Sequence, residues 1–312
     1  MSSQYQQYST VKKYWQLMRP HTLTAAIVPV LVGTATAKIF LLGSEDHLKL
    51  SLFVAMLLAC LLIQAATNMF NEYYDYKKGL DDHTSVGIGG AIVRNGMSPN
   101  LVMNLAIAFY VIAALLGIFI ASQSSFWLLP IGLLCMAVGY LYTGGPFPIS
   151  WTPLGELFSG IFMGMFIILI AFFIQTGNIQ SLAVWISLPI VITIGLINMA
   201  NNIRDRVKDK KSGRKTLPIL LGKKLSLLFL GFMYLVAYLL VIYIAFFKDG
   251  GSIFFLLALL SFPFPIKAFN RFKKNDTPSL MMPAMAATGK TNTFFGFLYA
   301  LGIYISALLG NI

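Results

Sequence analysis

Charge is scarce in this sequence: Lys, Arg, Asp and Glu make up 11% of its 312 residues, against about 25% in a soluble globular domain. That shortage excludes a soluble enzyme and a disordered tail. Cysteine is scarcer still. Cys60 and Cys135 each lie inside an apolar run with no metal-ligand spacing nearby, so a disulfide scaffold is excluded and both read as small buried hydrophobes. The three histidines, His21, His47 and His83, have no zinc-type partner three or four residues on and no nucleophile at a recognisable spacing. This argues against metal-hydrolase and Ser-His chemistry. The first 20 residues are polar and include Lys12, Lys13 and Arg19, so no cleavable apolar leader is expected there.

What the sequence has is hydrophobic length. Apolar residues make up 57% and the mean hydropathy is +0.76. Runs of the length that crosses a bilayer, about 20 residues, predict nine helices over 22–42, 48–70, 101–121, 126–143, 154–176, 180–200, 225–247, 252–269 and 292–311. The expectation is an all-α, polytopic membrane protein forming one domain over 1–312. An odd number of spans puts the termini on opposite sides. With the N-terminus in the cytoplasm, the inner segments are the N-terminal arm, 71–100, 144–153, 201–224 and 270–291. They hold 19 of the 23 Lys and Arg residues, and Lys267 at a helix end makes 20; only Lys38, Lys49 and Lys248 fall outside. The positive-inside rule therefore fixes the expected orientation and accounts for the net charge of +12 without nucleic acid.

Two inner segments resemble each other. After the second span the chain reads Asn68-Met-Phe-Asn71-Glu72-Tyr-Tyr-Asp75-Tyr-Lys-Lys-Gly79-Leu-Asp81-Asp82, and after the sixth Asn201-Asn202-Ile-Arg204-Asp205-Arg-Val-Lys208-Asp209-Lys-Lys-Ser-Gly213. Asn68, Asn71, Asp75 and Gly79 align with Asn202, Asp205, Asp209 and Gly213. Oxygen donors at i, i+3 and i+7 share one helix face, and a separation of four helices is what a parallel duplication produces. Clustered acids beside lipid are costly without a cation. Magnesium takes one or two carboxylates together with substrate phosphates and water, so the pair of motifs, flanked by Arg and Lys, suits a magnesium diphosphate. A solvated helix end would also carry acids and bases, but it would not repeat their spacing.

These motifs resemble those of the UbiA superfamily of intramembrane prenyltransferases. Within it, Arg19-Pro20-His21-Thr22, Asn68 to Asp82, Ser85 to Gly90, Tyr142 to Pro146, Leu154-Gly155-Glu156, Asn201 to Asp205, and Gly213 to Leu217 ending in Leu221-Gly222 are similar to the 1,4-dihydroxy-2-naphthoate polyprenyltransferases of menaquinone synthesis. The resemblance implies a nine-helix bundle, Mg2+ as cofactor, and a polyprenyl diphosphate and 1,4-dihydroxy-2-naphthoate as substrates, with the site facing the cytoplasm. Ionisation of the allylic C–O bond would be followed by attack of the ring and loss of CO2, giving a demethylmenaquinol. The superfamily often has Asn-Asp where this chain has Asn71-Glu72, so Asp75 is the first choice of ligand and Glu72 the second.

The expected catalytic acids are Asp75, Asp205 and Asp209, and the expected metal ligands are these three with Asn71. Arg94, Lys208 and Lys215 are the expected diphosphate contacts. Arg94, after the glycine-rich stretch Gly87-Ile-Gly-Gly-Ala, reads equally as an ordinary positive-inside residue. Asn68, Asn71, Asn202, Tyr142 and Glu156 are expected to bind substrate. Glu156 is the one carboxylate inside a predicted span; it either orients the aromatic acceptor, pairs with a base or favours a helix N-terminus. The loops 71–100 and 201–224 are expected to order over bound diphosphate. Other readings are a UbiA-type enzyme for another acceptor, such as 4-hydroxybenzoate or a homogentisate-type ring, haem O synthase, and a secondary transporter. The transporter would have its acids in mid-span.

Overall fold

The computed structural model describes residues 9–42, 47–81 and 89–310, and among these there is no strand. Asp82, His83 and the 85–88 part of the glycine-rich stretch lie outside the described residues. The helices are α1 Thr10–Met18, α2 Thr24–Phe40, α3 Leu50–Lys77, α4 Pro99–Gln123, α5 Leu128–Leu141, α6 Gly155–Ser159, α7 Ile167–Thr176, α8 Ser181–Lys211, α9 Leu217–Phe247, α10 Pro263–Lys274 and α11 Pro278–Leu309. A π-helical run, Gly160–Phe166, joins α6 to α7, and a 3-10 run, Ile253–Ser261, leads towards α10.

Among the described residues seven helices can cross a membrane by length and composition, or eight if Thr10–Thr22 and Thr24–Phe40, bent by 48°, count as one span. This differs from the nine expected. The fourth predicted span is the 14-residue α5, about 21 Å at 1.5 Å per residue against a hydrocarbon core of about 30 Å. Its run is cut short by the Ser124-Ser125 turn before it and the Thr143-Gly144-Gly145 turn after it.

Helix ends also moved. α3 runs seven residues beyond the expected end at 70 and α8 eleven beyond 200, because charge stops an apolar run without stopping a helix. At 28 and 31 residues both outreach the hydrocarbon core, and their polar last turns carry the two motifs. α11 begins at Pro278, fourteen residues before the expected start at 292, with Pro283 in its second turn. The polar N-terminal stretch forms α1, capped by Ser9, whose side chain accepts from the Lys12 N–H.

α2, α8 and α11 meet in a core built on Val28, Ile186, Ile190, Phe295 and Tyr299. A second core, including Met199, Ile203, Leu230, Phe272 and Met281, supports the motif-bearing end of α8. A third, with Leu17, Met69, Phe70 and Ile92, joins α1 and the 91–97 turn to α3. Glycine lets two backbones touch: a Cβ at Gly160 would lie 2.4 Å from the Val191 carbonyl oxygen, and one at Gly164 3.0 Å from the Val191 backbone. Such small-residue contacts are how membrane helices pack closely without a hydrophobic drive between them. Cys60 is buried, Cys135 half-buried, and both are free thiols. Large apolar side chains such as Leu115, Phe246 and Leu308 face outward, as a lipid-facing surface requires.

Candidate active site

The two motifs meet through an arginine. Arg214 donates from one guanidinium nitrogen to Asp75 Oδ1 at 2.8 Å and from the other to Asp209 Oδ1 at 3.2 Å. The two acids come from repeats 134 positions apart in the chain. Arg214 is placed by the turn after α8, where its N–H bonds back to the Asp209 carbonyl at 3.1 Å. Its guanidinium lies 5.8 Å from the centre of the Trp151 ring, a cation–π distance. The 144–153 loop is held there by the Lys215 N–H, which donates to the Trp151 carbonyl at 2.8 Å. Lys78 joins the cluster from α3, donating to the Thr143 carbonyl at 3.0 Å and lying over the Tyr74 and Trp151 rings.

The donor set fits magnesium. Asp209 Oδ2 is buried without a hydrogen-bond partner, and an orphaned hard oxygen beside a second carboxylate is what that ion takes. Among the described residues no three of His, Cys, Asp and Glu stand together as a metal cluster. Two carboxylates are the usual protein share for magnesium, phosphate and water completing its shell.

The other expected residues fall into three groups. Asp205 is held by its neighbour Arg204, with contacts of 2.8 and 2.5 Å. Asn71 and Lys208 are half-buried on the motif helices and Lys215 is exposed. Arg94 folds back over Gly90, where φ is +107° and a Cβ would sit 2.1 Å from the arginine Nε.

Two motif residues serve the scaffold. Asn68 donates to the Met18 carbonyl at 3.0 Å and to the Thr22 hydroxyl at 2.8 Å, tying the end of α1 to α3. Glu72 is 2% exposed and accepts from Arg19 at 2.9 Å and from the Gly90 and Ile92 N–H groups. Its carboxylate is thus engaged in holding the 89–95 turn. Arg19 itself stands in the left-handed region at φ 51°, ending α1.

Glu156, Asn202 and Tyr142 come together. Asn202 donates to Glu156 Oε1 at 2.9 Å. The Tyr142 hydroxyl lies 3.2 Å from where a Cβ on Gly155 would be, so glycine leaves room for the phenol. Tyr142 lies just past α5; burial pushes its phenol up from the ordinary value, the Glu156 carboxylate adding to the rise and Arg214 opposing it. The phenol is therefore a hydrogen-bond donor at neutral pH. Arg214, Lys78 and Trp151 were missed as site residues. Lys78 had a signal, since it sits three residues after Asp75 on the same helix face; Arg214 was one base among nine in its segment.

The profile of the UbiA prenyltransferase family matches residues 26–295. A protein of Bacillus subtilis (strain 168) named 1,4-dihydroxy-2-naphthoate octaprenyltransferase is 53% identical over 292 residues, which cover 94% of this chain and 92% of that one. The apo structure of a UbiA homolog from Aeropyrum pernix K1 superposes with a TM-score of 0.67 at 16% identity, over 90% of this chain and 98% of that one. A UbiA homolog from Archaeoglobus fulgidus bound to DMAPP and Mg2+ gives 0.61 at 17% identity, over 93% and 99%. At these identities the structural likeness is one of fold.

Proposed function

This chain belongs to the UbiA prenyltransferase family, and from that premise we propose that it transfers a polyprenyl group from polyprenyl diphosphate to 1,4-dihydroxy-2-naphthoate, releasing diphosphate and CO2 and forming a demethylmenaquinol. The observation that carries the reading is the Asp75–Arg214–Asp209 bridge, which joins the two acidic repeats at one end of the bundle. The 53% identical relative, by its name, supports the choice of acceptor.

Asn71, Asp75, Asp205 and Asp209 are the residues that would hold magnesium. The ion, when bound, supplies positive charge against the diphosphate oxygens. The basic side chains around it meet the remaining phosphate charge: Arg214 and Lys78 by their place in the cluster, Arg94, Lys208 and Lys215 by their place in the flanking segments. Negative charge developing on the departing diphosphate is then met by fixed cations, which lowers the barrier to breaking the allylic C–O bond. The apolar helix walls keep water from the positive charge that develops on the allylic carbon. The fold acts in the cytoplasmic membrane, with nine spans when α2 and α5 are counted, the N-terminus in the cytoplasm and the bridge at the cytoplasmic face. The distribution of Lys and Arg supports this orientation.

The test uses purified protein in detergent with octaprenyl diphosphate, 1,4-dihydroxy-2-naphthoate and Mg2+. Prenylated naphthoquinol that disappears with EDTA and in Asp75→Asn is the expected result. Product only with 4-hydroxybenzoate would overturn the acceptor assignment, and folded protein inactive on every aromatic acceptor would overturn the reaction class.

A further inference from the structure

Glu156 is 9% exposed, and its Oε2 is buried with no hydrogen-bond partner, while Oε1 takes a single neutral donor, Asn202. An acid left half-satisfied in the interior is costly, and unlike Glu72 it has no ion pair among the described residues. Its surroundings are specific. Asn202 stands three residues before Asp205 and seven before Asp209, so all three share one face of α8, and about 10 Å of helix rise separates Asn202 from Asp209. The carboxylate therefore lies about two helical turns deeper along α8 than Asp209. Tyr142 is the titratable group that faces it, and Asn202 is the polar group presented by α8.

From this geometry we infer that Glu156 is the general base that takes the hydroxyl proton of the aromatic acceptor, with Asn202 orienting the carboxylate and the Tyr142 phenol donating to the acceptor. The inference rests on the prenyl-transfer reading above and adds a catalytic residue to it. In the step, the acceptor O–H bond breaks and its proton passes to Oε2. The freed pair makes the ring oxygen a carbonyl, and a ring π pair forms the C–C bond to the allylic carbon. The C–O bond to diphosphate breaks, and diphosphate keeps that pair. Loss of the carboxyl group as CO2 leaves its bonding pair in the ring, which takes the proton back from Glu156 and regains its aromatic hydroxyl.

The experiment compares wild type, Glu156→Gln and Glu156→Asp, full length in detergent, with both substrates saturating, from pH 6 to pH 9. Each protein is assayed with 1,4-dihydroxy-2-naphthoate and, separately, with 4-hydroxybenzoate. Expected for Glu156→Gln is a fall in kcat of about 10²–10⁴-fold at pH 7 with KM for the prenyl diphosphate unchanged. Its rate then climbs about tenfold per pH unit, as an acceptor hydroxyl of ordinary phenolic pKa, about 10, ionises unaided. Glu156→Asp keeps a carboxylate and is expected to lack that slope. Wild-type rates in Glu156→Gln, or a fall of equal size at every pH, would overturn the base assignment. If wild type prenylates only 4-hydroxybenzoate, the naphthoate assignment fails and the same comparison is read on the benzoate. Wild type inactive on both acceptors overturns the reaction class and this inference with it.

Discussion

At the scale of single residues, the site is organised by what each cation is paired with. Arg214 holds Asp75 and Asp209 together through their Oδ1 atoms, so under the proposed function a magnesium ion drawn to these two carboxylates would have to compete with it. Removing it leaves two partly buried carboxylates facing each other. Arg214→Gln is therefore expected to lower the melting temperature in EDTA, and added Mg2+ should raise it by more than in wild type; equal Mg2+ shifts would show that the guanidinium does not compete. Glu72 and Arg19 form a different kind of pair. Glu72 is fully engaged and Arg19 occupies a left-handed conformation, which costs about 1 kcal/mol for a residue with a Cβ. Breaking one side of a buried pair costs about 3 kcal/mol. Glu72→Gln should accordingly lower stability by about that amount, read by thermal unfolding in detergent, and an unchanged transition would remove the pair from the scaffold. That Asp75 and Asp209 belong to one site was legible in the repeated spacing. The roles of Glu72 and Asn68 were not, since an acid that holds a turn and an acid that faces a substrate look alike in a motif.

At the scale of helices, the motifs sit where they do because α3 and α8 are longer than the membrane is thick. Their apolar stretches were readable from composition, and their polar last turns were not, because helix hydrogen bonding continues through Lys, Asp and Asn once the helix is nucleated. The contact between the Gly160–Phe166 run and α8 positions Glu156 against Asn202. Gly164→Leu would drive a side chain into the Val191 backbone, an overpacking worth about 1–3 kcal/mol. A lowered melting temperature together with a raised KM for the aromatic acceptor is expected; a change in KM for the prenyl diphosphate alone would contradict the assignment of this helix pair to the acceptor side. At the other end of the bundle, Gln175 exchanges hydrogen bonds of 2.7 and 3.2 Å with the backbone of Lys49, fixing the entry of α3 against the end of α7. No pattern in the chain announces that pairing, since the two residues lie 126 positions apart.

At the scale of the whole molecule, the charge distribution makes a prediction about sidedness. In a Cys60→Ala, Cys135→Ala background, Lys248→Cys is expected to react with a membrane-impermeant maleimide applied to intact cells, and Lys210→Cys only after permeabilisation. The reverse pattern would invert the topology and move the Asp75–Arg214–Asp209 bridge to the other face. Membrane residence, the all-helical class, the clustering of basic residues between the apolar runs and the two acid-bearing repeats were determined by the sequence alone, because bilayer length, helix period and charge are local properties of the chain. Tertiary structure decided the rest: that the fourth apolar run forms only the 14-residue α5, that Arg214 among nine bases in its segment bridges the motifs, and that Glu156 meets Asn202 with one oxygen unsatisfied. Each depends on which helix faces which, and that is set by close packing between residues such as Gly160 and Val191, remote in sequence and indistinguishable within it from any other small and branched pair.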